Sequence, residues 1–370
     1  MNVIIAPDKF KGSLTAHDVC QAVARGVRAV HPDANLHLIP LADGGEGSLE
    51  VLVSTQRMTY MTETVVDPLS RPVQARYARK DDSAYVEMAL ASGLELLSPP
   101  ERSASTTSSI GTGQLMRHAI DSGCKHIYLF VGGSATNDGG MGMAHGLGYK
   151  FLDAKGIELS PVGENLGNVS TIVEPQSLGP FSLTLVTDVQ NKLLGPEGAT
   201  HKYGPQKGAT PQELDQLEAG MSHYAELITE RTGSAIAPTL GSGAAGGIAV
   251  SAIGLLGGEV KGGIATILEA TDFHQLLPQT ELVITGEGKI DSQTLQGKVV
   301  HGVAQITKQA RVRTIAVCGV NELGKEEEGS LGLERVLALK NPSLSVDYCL
   351  SHAADLITER TTDYLEARRP

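Results

Sequence analysis

The chain opens with the hydrophobic pattern of a buried strand, an amphipathic helix and a second strand. Val3–Ala6 is a short apolar run that ends at Pro7-Asp8, as is typical of a buried parallel strand. Residues 15–30 place apolar side chains at helical spacing, and Thr15 is the predicted N-cap. Leu36–Leu41 predicts the second strand. The order β-α-β predicts a sheet whose ligand-binding edge lies at the carboxyl ends of the strands.

The middle of the chain changes character twice. Residues 59–66, 73–79 and 85–88 read as extended segments joined by short turns, which predicts antiparallel pairing. From residue 108 the βα pattern returns. It predicts helices at 113–122 and 211–230 and buried strands at 127–131 and 183–187.

The last third of the chain resembles the first 50 residues in its pattern of short apolar strands that end in polar residues or glycine. Apolar strands at Leu282–Thr285 and Thr314–Cys318 are each predicted to end in glycine. We therefore expect an α/β protein of two domains. Residues 1–62 plus 281–370 would form a doubly wound parallel-sheet domain, and residues 63–280 would form an α/β domain inserted into it.

Composition and charge narrow the function classes. A formal net charge of −12 argues against nucleic-acid binding, which usually needs a basic face. The four cysteines form no CxxC pair, which argues against a zinc site and fits a reducing compartment. We see no signal peptide and no apolar run of about 18 residues, so we expect a cytoplasmic protein without a membrane partner.

Two polar clusters follow the first two predicted strands. Lys9 and Lys11 can supply charge to a phosphate or carboxylate, or they can be solvated surface lysines. Asp43 and Glu46 lie among glycines and can hold Mg²⁺. Alternatively, these two acids cap the following helix.

Two hydroxyl- and glycine-rich segments are candidate binding loops. The first precedes a predicted helix and can bind an anion or simply cap the helix; its candidates are Ser109, Gly111, Thr112 and Gly113. The second follows a buried strand with small or polar residues only, which fits a nucleotide or substrate pocket. Its candidates are Gly133, Ser134, Thr136, Asn137 and Asp138.

Two further strand ends carry acids and amides. Asp188 and Asn191 follow one strand, where an acid can serve as a general base, bind a metal or form a turn. The other strand end is predicted to be a glycine turn flanked by acidic and amide side chains that are candidate functional groups. Its candidates are Gly286, Glu287, Asp291 and Gln293.

Known nucleotide-binding motifs do not explain these clusters. Residues 241–246 match GxGxxG, but the preceding segment contains Pro238 and makes a poor central strand. No GxxxxGK[ST] sequence occurs, which excludes a P-loop. We therefore expect close packing or a phosphate contact at 241–246, not a dinucleotide site.

Taken in order, these motifs resemble the bacterial glycerate kinase family of the glycerate 2-kinase type. The match covers Asp8–Thr15, Ala42–Gly47 and Gly132–Gly140, and it continues through Thr187-Asp188-Val189, Gly241–Gly247 and Thr285–Gly288. The resemblance implies that the parallel-sheet domain is flavodoxin-like. It also implies phosphorylation of D-glycerate, with ATP and Mg²⁺ as cosubstrates.

On that resemblance we assign expected roles. Lys9 and Lys11 would hold anionic oxygens, and Asp43 or Glu46 would carry Mg²⁺. Asp188 is the expected base or metal-linked carboxylate, and Asp291 is its rival. The segments at 109–113 and 132–140 would line the nucleotide or substrate. A kinase for another small hydroxy acid and a non-catalytic sensor remain open, as do the phosphorylated hydroxyl and the choice between monomer and homodimer.

Overall fold

A computed structural model describes residues 1–45, 47–56 and 58–368. The strands in these ranges are β1 (Asn2–Pro7), β2 (Asn35–Leu38), β3 (Thr59–Val66), β4 (Pro72–Lys80), β5 (Ser83–Glu87), β6 (His126–Phe130), β7 (Lys150–Leu152), β8 (Thr171–Val173), β9 (Ser182–Val186), β10 (Glu259–Lys261), β11 (Leu282–Ile290), β12 (Arg313–Asn321) and β13 (Arg335–Ala338). The helices are α1 (Ala16–Val30), α2 (Ser48–Gln56), α3 (Ala89–Ser92), α4 (Ile110–Asp121), α5 (Met141–Gly146), α6 (Ala199–Tyr203), α7 (Pro211–Thr232), α8 (Ala249–Gly254), α9 (Gly263–Ala270), α10 (Phe273–Leu276), α11 (Val299–Gln309), α12 (Lys325–Ser330), α13 (Val346–Ser351) and α14 (Ala353–Glu366).

The chain divides into two compact units. The first contains residues 1–43, 50–56 and 262–370, and the second contains residues 44–49 and 57–261. The domain boundaries expected from the sequence, 62/63 and 280/281, stay a prediction. None of the described helices is long and apolar enough to cross a membrane.

The first unit is built on a five-stranded parallel sheet. Its strand order is β2-β1-β11-β12-β13, and all four neighbouring pairs are parallel. Numbered within the unit, this order is 2-1-3-4-5, which is the flavodoxin-like arrangement. The sequence prediction of a flavodoxin-like parallel sheet is therefore confirmed. Apolar side chains of β1 and β11 form the buried centre of the unit.

Helix α1 shows how local sequence produces an element of this unit. Thr15 is its N-cap, as predicted, and the threonine hydroxyl accepts a hydrogen bond from the backbone N–H of Asp18. The buried face of the helix includes Val19, Val23 and Val27. Helix α1 packs against α14, and the two helices approach so closely that a Cβ on Gly26 would lie 2.7 Å from the carbonyl oxygen of Thr358.

The second unit is built on a six-stranded mixed sheet. Its order is β10-β9-β6-β5-β4-β3. The β3–β4 and β4–β5 pairs are antiparallel, as the sequence predicted, whereas β5, β6, β9 and β10 run parallel. The carboxyl ends of β6 and β9 consequently lie side by side at one edge of this sheet.

The predicted ends of two strands were wrong. Strand β11 does not stop at Thr285 but continues to Ile290, and β12 continues past Cys318 to Asn321. Gly286 therefore lies in an extended strand and not in a turn. A Cβ at this position would come within 2.5 Å of the carbonyl oxygen of Val317 on β12, so glycine is required by strand packing.

Candidate functional site

In the first unit, polar side chains collect in a cleft of about 380 Å³ at the carboxyl ends of β1 and β11. The backbone N–H of Asp8 donates to the carbonyl oxygen of Gly286 at 2.7 Å, which joins the end of β1 to the middle of β11. Six residues singled out in the sequence line this cleft, together with Asp8 and Lys298. The six are Lys9, Lys11, Asp43, Glu287, Asp291 and Gln293.

The two lysines of this cleft are presented by a small anchored turn. Phe10, between them, is buried, and its backbone exchanges hydrogen bonds of 2.9 and 3.0 Å with Leu14. Gly12 closes the turn with a φ of 76°, which favours glycine. Because Phe10 points inward, Lys9 and Lys11 are both exposed at the mouth of the cleft.

Two acids of the cleft have strongly raised pKa values. Burial, followed by the charge of Asp43, raises the pKa of Asp8 to about 7. Burial also raises the pKa of Glu287 to about 7, although the hydroxyl of Thr294 donates to its carboxylate and opposes the shift. Carboxylates that approach one another in this way favour a bound cation or a shared proton.

Asp291 lies in a different electrostatic setting. Partial burial acts to raise its pKa, but hydrogen bonds from the Gln293 backbone and from Lys289 lower it overall. The Lys289 ammonium lies 3.4 Å from Asp291 and 2.8 Å from Glu322. Lys298 donates to the side-chain oxygen of Gln293 at 3.2 Å, so the segment after β11 is a connected polar network.

Of the two magnesium ligands predicted from the sequence, one lies in the cleft. Asp43 lines it with Asp8, whereas Glu46 lies outside the described residues. No group of three His, Cys, Asp or Glu side chains in the described ranges is arranged to hold a metal ion. Mg²⁺ commonly takes only one or two carboxylates and completes its shell with water and substrate phosphates.

The second unit has its own cavity, of about 130 Å³, at the carboxyl ends of β6 and β9. Gly133 and Ser134, two of the candidates from the sequence, line it, and Lys207 lies in its wall. The Lys207 ammonium donates to Ser134 Oγ at 2.8 Å and to the carbonyl oxygen of Thr136 at 2.7 Å. Ala245, also in the wall, has a φ of 50°, a strained conformation of the kind that collects at functional sites.

Asp138 lies deeper and connects elements of this unit. Its carboxylate is fully buried and accepts hydrogen bonds from the backbone N–H groups of Ser109, Gly140 and Gly142 and from the Ser109 hydroxyl. Burial raises the pKa of Asp138, although the hydrogen bonds from these four donors act to lower it. The same Ser109 hydroxyl accepts from the backbone N–H of Met143 at 2.8 Å, which fixes the start of α4 against the start of α5.

The remaining candidates of the 109–113 segment make internal contacts. A Cβ on Gly111 would lie 1.9 Å from the carbonyl oxygen of Val66, and one on Gly113 would lie 2.0 Å from that of Met143. The Thr112 hydroxyl donates to Ser92. These glycines allow α4 to approach its neighbours closely, and the binding role expected for the segment stays a prediction.

Thr136 and Asn137 are both fully buried behind the cavity loop. The Asn137 amide donates to the Thr200 hydroxyl at 3.3 Å. Neither the Thr136 hydroxyl nor Asn137 Oδ1 has a hydrogen-bond partner within the described chain. Such unsatisfied buried atoms indicate a position where a water molecule or a ligand atom can be accommodated.

Asp188 and Asn191 follow β9, as the sequence placed them. Asp188 is half-buried. Asn191 donates to the carbonyl oxygen of Glu197 at 2.7 Å and accepts from the hydroxyl of Tyr203 at 2.9 Å, so its side chain is held by the α6 region. Their roles in chemistry stay predictions.

No role was predicted from the sequence for Asp8 or for Lys207, although Asp8 directly precedes Lys9. The signal at Asp8 is its position directly after a predicted buried strand. Lys207 stands between Pro205 and Gly208 in a segment with no hydrophobic pattern, and its burial follows from tertiary packing. A lysine flanked by turn-forming residues was the only local signal of its position.

Comparisons with known proteins agree over most of the chain. The glycerate kinase family model matches residues 3–368. The chain is 39% identical to a glycerate kinase of Bacillus subtilis (strain 168) over 366 residues, which cover 98% of this chain and 96% of that protein. It is 39% identical to a glycerate 2-kinase of Escherichia coli (strain K12) over 325 residues, covering 86% and 85%.

A solved structure supports the same assignment. A crystal structure assigned as glycerate kinase 2 from Salmonella typhimurium LT2 superposes with a TM-score of 0.87 at 37% identity. The superposition covers 99% of this chain and 98% of that one. From the family match, the sequence relatives and the shared fold, the chain belongs to the glycerate kinase family of phosphotransferase enzymes.

Proposed function

We propose that this protein transfers the γ-phosphoryl group of ATP to the 2-hydroxyl of D-glycerate, giving 2-phospho-D-glycerate and ADP. The observation that carries the proposal is full-length membership of the glycerate kinase family, with a relative named glycerate 2-kinase. In this reaction a bond forms between the substrate oxygen and phosphorus, and the bond from phosphorus to the β,γ-bridging oxygen breaks. The hydroxyl proton passes to a carboxylate base.

The cleft of the first unit supports binding of anionic groups. Phosphoryl transfer depends mainly on positioning and charge neutralisation. Lys9 and Lys11 project from the anchored turn, and their ammonium groups can bind an anionic oxygen. Lys298 lines the same cleft. We assign these lysines to the carboxylate of glycerate or to the transferred phosphoryl group.

A magnesium ion fits the residues of this cleft. Asp8 and Asp43 lie close enough for the charge of Asp43 to raise the pKa of Asp8, and a bound cation would relieve that repulsion. We assign Asp43 and Asp8 as the carboxylates that would hold Mg²⁺, with Glu46 as a further candidate. When bound, the ion supplies positive charge that neutralises the phosphate oxygens.

For the base we propose Asp188 over Asp291. A base must accept a proton as the hydroxyl attacks, and a carboxylate whose pKa is lowered does this less readily. Asp291 has a lowered pKa and is ion-paired with Lys289. Asp188 stands half-buried at the carboxyl end of β9, where α/β sheets commonly place reactive groups.

We further propose a cytoplasmic enzyme that works on small molecules as a monomer or homodimer. Its net charge of −12 gives no basic footprint for nucleic acid. Glycerate and a nucleotide are the proposed partners. The Gly132–Gly140 loop and the cleft beside Gly286, Glu287 and Gln293 are the proposed binding surfaces.

Proton-coupled ³¹P NMR of the protein with ATP, Mg²⁺ and D-glycerate tests the proposal directly. A new phosphomonoester doublet, coupled to one proton, would establish 2-phospho-D-glycerate, and ADP signals must appear with it. A triplet would establish the 3-phosphate and overturn the regiochemistry. An unchanged ATP spectrum would overturn D-glycerate as the acceptor, and a panel of other small hydroxy acids would then identify the substrate.

A further inference from the structure

Lys207 is held rigidly in the wall of the second unit's cavity. It ends a short turn at Pro205–Lys207, and its side chain is only 2% exposed. Gly208 closes the turn with a φ of 90°, at a position where a Cβ would lie 2.2 Å from the carbonyl oxygen of Arg102. The backbone that follows Lys207 is therefore packed closely against Arg102.

The ammonium group of Lys207 has one N–H to spare. It has three donors and gives two of them, to Ser134 Oγ and to the carbonyl oxygen of Thr136. Across the described ranges no carboxylate forms an ion pair with it. The carboxylate that influences it most is Asp138, which already accepts four hydrogen bonds from other donors. A buried cation with this arrangement lacks a counter-anion.

Three consecutive residues that line the same cavity carry backbone N–H donors. The N–H groups of Gly132, Gly133 and Ser134 follow β6 in succession, and none of the three donates to an atom of the described chain. Gly133 has a φ of 74°, which turns the backbone at this point. Consecutive backbone N–H groups in such a turn form a concave site that binds anions.

We propose that Lys207, with the backbone of Gly132–Ser134, binds a small oxyanion: a phosphate group of the nucleotide or the carboxylate of the acceptor. The inference rests on the proposed function for the choice of these two sources. A cavity of about 130 Å³ admits one such group and not a whole nucleotide. Lys207 is thus a binding residue that positions a reactant in this unit.

The electrostatics of Lys207 agree with this assignment. Burial lowers the pKa of Lys207 to about 7, and only Asp138 acts to raise it. An oxyanion placed beside the ammonium would favour the charged form and raise the pKa of Lys207. Binding should therefore take up a proton when the solution pH is above about 7.

Isothermal titration calorimetry on the full chain tests the proposal with three separate probes: inorganic phosphate, ADP and D-glycerate. Lys207→Met replaces the ammonium with an apolar group of similar length. We expect affinity for phosphate and ADP, or else for D-glycerate, to fall at least tenfold, and the probe affected identifies the anion. Lys202→Met is the matched control, because Lys202 is exposed and pairs with Glu197 at the surface.

Equal affinity of wild type and Lys207→Met for all three probes would overturn the proposal, and so would a wild type that binds none of them. If the variant does not fold, ¹³C NMR of the Lys207 Cε in the wild type replaces it. A rise in the pKa of Lys207 on saturation with phosphate or D-glycerate supports the proposal. An unchanged titration curve with both ligands overturns it.

The two proposals fail in different ways. If the protein produces 2-phospho-D-glycerate but Lys207→Met leaves its affinity for anions unchanged, the proposed reaction is supported and the proposed site is contradicted. If the protein binds phosphate through Lys207 but leaves ATP and D-glycerate unchanged, the proposed site is supported and the proposed reaction is contradicted.

Discussion

The hydroxyl of Ser109 lies 2.7 Å from Oδ2 of Asp138, and both side chains are fully buried. The same carboxylate accepts hydrogen bonds from three backbone N–H groups, two of which, those of Gly140 and Gly142, lie at the start of α5. This one acid therefore connects the start of α4 to the start of α5. Because this buried carboxylate serves four donors, we expect Asp138 to contribute to the stability of the second unit.

Replacing Asp138 with Ala should lower the free energy of unfolding by at least about 3 kcal/mol, because four buried donors would lose their acceptor. Chemical denaturation followed by circular dichroism measures the change. The control is Asp121→Ala, which removes an exposed acid paired with Arg117 and should cost about 1 kcal/mol or less. Equal midpoints for the two variants would show that the buried network contributes little.

Stability should also depend on pH through Lys207. Its pKa is about 7 in the folded protein and near 10.5 when unfolded, so the unfolded chain binds more protons between these values. Folding stability should rise with pH across this window. Below pH 7 the folded protein carries the full cost of burying the charged ammonium. Relative to Lys207→Met, the ligand-free wild type should gain about 1.4 kcal/mol per pH unit.

The measurement is a set of urea unfolding curves for both proteins between pH 7 and pH 9. Asp138 and Tyr203 are the other titratable groups beside Lys207, and both are present in the two proteins, so their effects largely cancel. A constant difference in unfolding free energy over this range would mean that Lys207 keeps an ordinary pKa.

Replacing Asp188 with Asn should reduce turnover by about two to four orders of magnitude, because the amide cannot accept the hydroxyl proton. The melting temperature should change little. Steady-state kinetics with ATP and D-glycerate measure the effect, and Asp291→Asn is the paired variant. If Asp291→Asn is the slower enzyme, the base is Asp291, and near-wild-type turnover of Asp188→Asn removes Asp188 from the mechanism.

Gly286→Ala should destabilise the first unit by about 1–3 kcal/mol, since the new methyl group would press on the Val317 carbonyl across the β11–β12 pair. Gly329→Ala is the matched control. Gly329 lies in α12, and outside its own helical turn no described atom lies within 4 Å of where the methyl group would stand. Alanine at this helical position should raise the free energy of unfolding by at most about 1 kcal/mol. Thermal unfolding of both variants compares them, and equal shifts would contradict the packing explanation.

Much of the fold was predictable because local pattern and tertiary structure agree. Thr15 caps α1 as expected, and the extended segments between residues 59 and 88 pair antiparallel as the short turns between them indicated. The extension of β11 was not predictable, since glycine at 286 and 288 normally indicates a turn. Its conformation is set by β12, which lies more than twenty residues further along the chain.

The candidate site was predictable in its location and less so in its detailed contacts. The ends of β1, β6 and β9 were identified because polar residues there interrupt apolar runs, whereas β11 was predicted to end five residues too early. Whether a polar side chain faces a cavity or the interior depends on neighbours far away in sequence. Asp138 and Lys207 illustrate this, since the burial of each is produced by packing between segments about 30 to 70 residues apart.

The central strand pair of the first unit joins two segments that lie far apart in the chain. Val3 lies opposite Leu282, so β1 has no partner on that side until about 280 residues have been synthesised. Long-range pairing of this kind slows folding, because a large loop must close first. During synthesis the second unit, whose strands all fall between residues 59 and 261, is complete while β1 and β2 still wait for β11. We therefore expect the second unit to fold first during synthesis and the first unit, whose strands flank it in the chain, to be completed last.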